Sequence, residues 1–166
     1  ILIVGAGISP SVELAEKAGL KTGNGIEVDG FLRTSDAEIY AAGDNANFPY
    51  KALGKRTRVE HWDNAMIQGE TAGANMAGAM REYAHMPYFF SDLFEFGYEA
   101  VGEVDSSLEA AYDWQDEFSK GVVYYLRDGK VRGVMLCNVW DKVPAARELI
   151  KSGKEFTHEG LKGAIR

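Results

Sequence analysis

Two short polar motifs, Gly43-Asp44 and Glu60-His61, carry residue types that could take part in ligand chemistry. Asp44 follows a predicted buried strand, and ligands of open α/β sheets collect at the carboxyl ends of strands, where a carboxylate can accept a hydroxyl hydrogen bond. Gly43 would let a ligand approach the backbone closely. Glu60 and His61 precede a predicted long helix, whose first-turn amides and dipole favour an electron-rich group. The alternatives are structural: Asp44 as an Asx cap, Glu60 as a helix-capping acid and His61 as a packed surface imidazole.

The overall composition excludes several other function classes. The chain has 166 residues, of which 46% are hydrophobic, so it can bury one core or two small ones. Its net charge of −7 argues against a sequence-independent nucleic-acid or anionic-membrane surface, although Lys55, Arg56 and Arg58 could form a local basic patch. Cys137 is the one cysteine, which excludes internal disulfides and CxxC pairs and favours a reducing compartment such as the cytoplasm.

Metal and covalent chemistry are not expected either. His85, His158 and Cys137 have no partners at metal-ligand spacing, and no Ser/His/Asp arrangement is legible. No apolar run approaches the roughly 20 residues needed to cross a bilayer, so no membrane span is expected.

A glycine-rich turn near the start resembles a dinucleotide-binding fingerprint but fails at its third position. Gly5-Ala6-Gly7-Ile8-Ser9-Pro10 follows an apolar run and precedes a helix, with Glu27 and Asp29 about 20 residues on. The fingerprint requires Gly or Ala where Pro10 stands, because helix and strand must pack closely there. A glycine turn that returns the chain to a sheet is the preferred interpretation.

The first half of the chain predicts part of an α/β fold. Strands are predicted at residues 1–4, 26–28 and 39–42, with a short helix over 12–18 that Gly19 ends and a loop over 45–58. The apolar start without Met predicts that the chain begins inside a larger domain. A long helix is predicted over 62–80, and its small residues Ala65, Gly69, Gly73 and Ala77 lie on one side. Tight helix-on-sheet packing is the preferred explanation of this stripe, with direct ligand contact as the alternative.

The second half predicts a small α+β domain. Strands are expected at residues 91–96, 98–104, 122–126 and 131–139, with a hairpin turn at 127–130 and an amphipathic helix over 144–151. The tail from about residue 152 is polar and rich in glycine, and no structure is predicted for it. A boundary near Pro87 divides the chain into domains 1–86 and 87–166.

Three blocks in this order, GAGISPSVELAEKAGL, GIEVDGFLRTSDAEIYAAGD and RVEHWDNAMIQGETAGANMAG, resemble the end of the two-dinucleotide-fold flavoprotein reductases. PYFFSDLFEFGYEAVGEVDSSL and KGVVYYLRDGKVRGVMLCNVWDKVPAARELI are similar to apoptosis-inducing-factor-like and ferredoxin-reductase-like members, and extend the resemblance to about residue 153. It implies the carboxy-terminal part of an FAD-binding Rossmann-like domain, followed by a small mixed α+β domain like the dimerisation domain of these reductases. Plant monodehydroascorbate reductases are similar around RVEH.

The resemblance also implies roles for individual residues. Gly43 and Asp44 would bind the ribityl chain of FAD, and His61 and Trp62 would lie beside the isoalloxazine, with Glu60 and His61 facing the nicotinamide. Two further residues, Phe90 and Glu99, match positions that line the flavin and contact the nicotinamide nucleotide. Apoptosis-inducing factor has Trp at the position of Phe90 and His at that of Trp62, and its vertebrate insertion is absent between Leu108 and Lys120.

The expected function is hydride transfer from NADH or NADPH to FAD and then to an unknown acceptor, as part of a larger protein. No catalytic residue is assigned, because the cofactor carries the redox step. The fragment alone is expected to be inactive, and the intact protein is a possible homodimer. Two alternatives remain: a stand-alone or excised interaction and dimerisation module, and a fragment of a monodehydroascorbate-reductase-like enzyme.

Overall fold

A computed structural model describes residues 1–165 as two compact units. The first unit comprises Ile1–Tyr50 and Gly54–His85, and the second comprises Lys51–Leu53 and the chain from Met86 onward. Among residues 1–165, no helix is both long and apolar enough to cross a membrane.

The first unit is a small mixed α/β arrangement. Its helices are α1 (Glu13–Lys17) and α2 (Trp62–Met76), and its strands are β1 (Thr22–Gly23), β2 (Gly25–Glu27), β3 (Ala46–Tyr50) and β4 (Lys55–Thr57). The sheet order is β1-β2-β3-β4, with β2 and β3 parallel and the two outer pairs antiparallel. The predicted α1 and β2 are therefore present, and the sheet is of mixed direction.

Two predicted strands and one predicted loop of this unit were wrong. Residues 1–4 form no strand, because no described segment pairs with them and their apolar side chains stay exposed. The predicted strand at 39–42 is reduced to one bridge between Arg33 and Tyr40. The predicted loop at 45–58 contains β3 and β4. Pro49 is tolerated in β3 because the pairing with β2 ends at Asn47, so no ladder hydrogen bond is lost on that side.

Helix α2 is shorter than predicted and buries a different face from the small-residue stripe. It ends at Met76 because the side chain of Asn75 bonds to the chain that follows: its Nδ2 donates to the Arg81 carbonyl over 2.7 Å, and its Oδ1 accepts from the Arg81 amide over 2.6 Å. Its buried side chains are Asn64, Gln68, Ala72 and Asn75. The stripe through Gly69 and Gly73 is exposed, and a Cβ at either glycine would meet nothing within 4 Å. The packing explanation of the stripe is therefore wrong for this chain.

The second unit is an antiparallel sheet covered on one face by helices. Its strands are β5 (Tyr88–Leu93), β6 (Phe96–Gly102), β7 (Glu109–Asp116), β8 (Lys120–Arg127) and β9 (Lys130–Cys137), in the order β5-β6-β9-β8-β7. Helix α3 (Val143–Lys151) packs on β6 and β9, and α4 (His158–Leu161) packs on β7. Strands β8 and β9 are buried along most of their length, and the buried side chains of α3 (Val143, Ala146 and Ile150) belong to the core formed with β6 and β9.

Most predictions for this unit hold. The hairpin turn at 127–130 is confirmed, with Asp128 and Gly129 at φ of +53° and +72°, the two successive positive φ values of a type I′ turn. Strand β7 was missed because charged residues interrupt its apolar alternation. The tail was wrongly left without structure: Thr157 caps α4 through its hydroxyl, and Leu161 and Ile165 are buried.

Candidate functional site

The Gly43–Asp44 turn is held from both sides by buried side chains. It forms a short 3₁₀ turn, Gly43–Asn45, immediately before β3. The Gly43 amide donates to Gln68 Oε1 of α2 over 2.7 Å, and the Asp44 carbonyl accepts from Arg58 Nη1 over 2.9 Å. Gly43 has φ of +79°, a conformation that favours glycine. The turn therefore precedes a strand instead of following one, which corrects the expectation from the sequence.

The carboxylate of Asp44 faces solvent and is available to a ligand. Asp44 is exposed, and within the described chain its carboxylate makes no hydrogen bond or ion pair. The Asx interaction considered as an alternative is therefore not formed. A carboxylate fixed at a rigid turn is a strong acceptor for a hydroxyl donor.

The amino end of α2 leaves its first-turn amides without a side-chain cap. His61 is the N-cap residue, with φ of −117° and ψ of 140°, and its carbonyl accepts the Ala65 amide over 3.0 Å. Its imidazole makes no capping hydrogen bond. Glu60 does not cap the helix either; it forms an ion pair with Arg58. The amides and the helix dipole can therefore act on an electron-rich group bound at the amino end of α2.

The pKa of His61 is influenced by charged residues of both motifs. Partial burial lowers the pKa of His61 below its ordinary value, and the negative charges of Asp63, Asp44 and Glu60 oppose this in part. The imidazole is therefore predominantly neutral near pH 7. The structure thus brings Asp44, Glu60 and His61 close enough to interact electrostatically, while Trp62 begins the helix with 68% of its surface exposed.

Arg58 and Gln68 are positioning residues that the sequence analysis did not assign to the site. The Arg58 side chain is only 8% exposed; besides Asp44 and Glu60 it contacts the side-chain oxygen of Asn24 over 3.1 Å. It is therefore not part of a surface basic patch. Nothing in the spacing of Gln68 distinguishes it from other polar helix residues, so its role is visible only in three dimensions.

A second set of polar contacts supports the start of α2. His85 Nε2 lies 2.6 Å from Asp63 Oδ2, and the Tyr83 hydroxyl donates to Asn64 Oδ1 over 2.8 Å. Asn64 Nδ2 in turn donates to the Val59 carbonyl over 3.0 Å. These contacts fix the first turn of α2, and with it the position of His61.

The second unit brings its two candidate residues together as a cross-strand pair. Phe90 on β5 lies directly opposite Glu99 on β6. Phe90 is exposed, with its ring centroid 6.4 Å from that of Tyr88. Burial first, and then the charge of Asp141, raise the pKa of Glu99 above its ordinary value. Its Oε2 is buried and has no hydrogen-bond partner among the described residues, so this atom could accept a donor from a ligand.

Two family models match most of the chain. Residues 1–69 match the family of pyridine nucleotide-disulphide oxidoreductases, and residues 72–114 and 109–152 match the C-terminal family of mitochondrion-associated apoptosis-inducing factor. This chain belongs to the pyridine nucleotide-disulphide oxidoreductases. Members of the family use FAD and NAD(P)H.

Individual relatives of this chain are longer proteins. It is 34% identical over 154 residues to the ferredoxin–NAD(+) reductase component of the Burkholderia cepacia anthranilate 1,2-dioxygenase system, covering 92% of the chain and 38% of that protein. It is 36% identical over 163 residues to Dictyostelium discoideum apoptosis-inducing factor 1, covering 90% of the chain and 31% of that protein.

The fold of the chain also matches a solved structure. The ferredoxin reductase for the CYP199A2 system from Rhodopseudomonas palustris superposes with a TM-score of 0.82 at 31% identity, covering 93% of the chain and 38% of that structure. The chain thus spans about two fifths or less of these relatives.

The first unit fits part of a flavin site. The solvent-facing Asp44 carboxylate supplies an acceptor, the uncapped amides of α2 supply donors, and His61 supplies a predominantly neutral ring. Gln68 Nε2 adds a buried donor that has no partner within residues 1–165.

Proposed function

We propose that this chain forms the ribityl and pyrimidine side of an FAD site in an NAD(P)H oxidoreductase. Residues 1–86 would be the carboxy-terminal part of its FAD-binding domain, and residues 87–166 a small carboxy-terminal domain. The observation that carries the proposal is the exposed Asp44 carboxylate on a turn clamped by Gln68 and Arg58.

Each proposed residue has a role that its surroundings support. Asp44 accepts a hydrogen bond from a ribityl hydroxyl. Gly43 has no side chain, so the cofactor can approach the backbone of the turn closely. The first-turn amides of α2 stabilise the electron-rich pyrimidine edge, which becomes more negative on reduction. Trp62 shields that edge from water.

The nicotinamide side is proposed from the remaining candidates. Flavin, when bound, supplies the hydride-accepting chemistry. His61 packs against the nicotinamide as a neutral ring, so it adds no positive charge where the nicotinamide loses hydride. Glu60, held by Arg58, accepts a donor from the nucleotide. In the second unit, Phe90 lines the cofactor and Glu99 contacts the nicotinamide nucleotide.

For the electron acceptor and the oligomeric state of the intact protein, we propose only general classes. Ferredoxin-type electron carriers are the first acceptors to test, because one relative is a ferredoxin–NAD(+) reductase component. A homodimer and a cytoplasmic location stay predictions. The isolated 166-residue chain is proposed to bind FAD weakly and to be inactive, because it contains no fingerprint for the pyrophosphate.

Stopped-flow reduction of the full-length flavoprotein tests this function. NADH or NADPH should bleach the flavin of the wild-type protein. His61→Ala should keep flavin content and fold, yet slow reduction or weaken nucleotide binding by about one to two decades, because an orienting contact is lost. A shift of the half-saturation point indicates lost binding, and a lower plateau indicates lost orientation.

The matched control is His158→Ala. His158 is an exposed histidine whose Nε2 contacts Glu109 over 2.7 Å in the second unit. This variant should reduce at the wild-type rate. If His61→Ala also changes neither parameter, the assignment of His61 fails; a full-length protein without flavin would refute the proposed function itself.

A further inference from the structure

Three aromatic side chains form an open pocket at the hairpin between β7 and β8, and no role proposed above uses it. Tyr112, Trp114 and Phe118 line a pocket of about 360 Å³ together with Glu117. The rings of Tyr112 and Trp114 are nearly parallel at 16° with centroids 6.3 Å apart, and the Phe118 centroid lies 5.9 Å from that of Trp114. Tyr112 and Phe118 are exposed, so the pocket is open to solvent.

Phe118 combines an unfavourable backbone conformation with an exposed side chain. It has φ of +58°, a left-handed conformation that is uncommon for a bulky side chain, and 75% of its surface is exposed. Glycine would adopt this turn without strain, and an exposed ring gains little from burial. Phe94 at the β5–β6 turn shares this conformation and exposure, so the strain by itself does not distinguish Phe118; its place beside Trp114 does.

The position of Trp114 is set by the sheet beneath it. Gly121 lies opposite Trp114 on β8, and a Cβ at this glycine would come within 2.7 Å of the indole ring. The absence of a side chain at 121 therefore lets the indole lie against the strand. The ring is anchored before any ligand arrives, which lowers the entropy cost of binding.

The chemistry of the pocket favours a cation. Aromatic faces carry negative potential, and Glu117, which has no ion pair with any described residue, adds a full negative charge. Guanidinium groups stack on aromatic rings and pair with carboxylates at the same time, which an ammonium group does less well.

The openness of the pocket decides between a small molecule and a protein. Small-molecule sites bury most of the ligand surface, whereas Tyr112 is 56% and Phe118 75% exposed here. The bound group must therefore belong to a larger molecule, whose surface covers the rest of the pocket. We propose that the pocket of Tyr112, Trp114, Glu117 and Phe118 docks an arginine side chain of a partner protein.

The test uses the full-length protein labelled with 5-fluorotryptophan, with the Trp114 resonance assigned through Trp114→Phe. The probe is the capped tripeptide glycine-arginine-glycine, and its control contains citrulline, which has the same shape without charge. The arginine peptide should shift the Trp114 resonance saturably, and the citrulline peptide should bind roughly three- to tenfold more weakly. Equal shifts with both peptides, or none with either, would overturn the proposal.

Two variants and one control locate the binding. Phe118→Gly suits the backbone conformation, so the fold is kept, and it should weaken arginine binding; Glu117→Gln should do the same without changing shape. Phe94→Gly is the matched control, because Phe94 has φ of +59° and is 99% exposed but lies at the β5–β6 turn. Unchanged affinity in both Phe118→Gly and Glu117→Gln, or an equal loss in Phe94→Gly, would contradict this location.

Discussion

The two units of the chain bury different kinds of side chain. In the first unit, α2 turns Asn64, Gln68 and Asn75 inward, and these are the buried polar side chains within residues 1–165. In the second unit, α3 buries Ala146 and Ile150 against an apolar sheet. The first unit is thus shaped by directional hydrogen bonds that also fix the Gly43–Asp44 turn, whereas the second is held mainly by apolar burial. Removing one group should therefore change function in the first unit and stability in the second.

The largest effect is expected for a cavity in the second unit. Leu136 is fully buried in β9, the central strand, so Leu136→Ala should destabilise this unit by about 3 kcal/mol. Hydrogen exchange of β8 and β9 amides under native conditions measures the loss. Leu93→Ala, at an exposed position of β5, is the control and should change stability by less than about 0.5 kcal/mol. Equal effects of the two variants would mean that apolar burial does not hold this unit.

A smaller effect is expected from pH, again in the second unit. Burial, and secondarily the charge of Asp113, raise the pKa of Tyr124 from 10.0 to about 12. Because the folded pKa lies above the unfolded one, this stability is fully present below pH 10 and is lost as the pH rises towards 12. The rise from 10.0 to about 12 corresponds to about 2.7 kcal/mol, which is the loss expected once the pH exceeds the folded pKa.

Urea unfolding between pH 9 and 12, followed by tyrosine absorbance, checks this. Tyr124→Phe should flatten the decline, and Tyr112→Phe, which changes an exposed tyrosine, should keep it. If the free energy of unfolding falls equally in Tyr124→Phe, other groups are responsible for the loss of stability at high pH.

The smallest effect on stability is expected at Gln68. Gln68→Met keeps the volume but removes the acceptor of the Gly43 amide, which costs about 1 to 2 kcal/mol. Exchange of the Gly43 amide, read by NMR, should therefore accelerate by roughly one decade. Gln115→Met, at an exposed position of β7, should leave it unchanged. Without acceleration in Gln68→Met, the turn is not held by this bond.

The sequence predicted regular elements better than the irregular site. The hairpin at Asp128-Gly129 and helix α3 follow local rules of turn chemistry and capping, and both are present. The stripe through Gly69 and Gly73 led to a wrong prediction of helix packing, because the spacing of small residues does not show which face of α2 contacts a neighbouring element. Arg58 and Gln68 could not be assigned, since their contacts join segments distant in sequence.

The central claim is that Asp44 binds the ribityl chain of FAD, and flavin retention in the full-length protein tests it most directly. Asp44→Ala removes a charged acceptor, so the FAD dissociation constant should rise about tenfold to a hundredfold, corresponding to roughly 1.5 to 3 kcal/mol. Asp36→Ala is the control, because Asp36 is an exposed residue whose carboxylate accepts the nearby Glu38 amide over 2.9 Å. A folded Asp44→Ala protein that retains FAD as tightly as the wild type and Asp36→Ala would contradict the account.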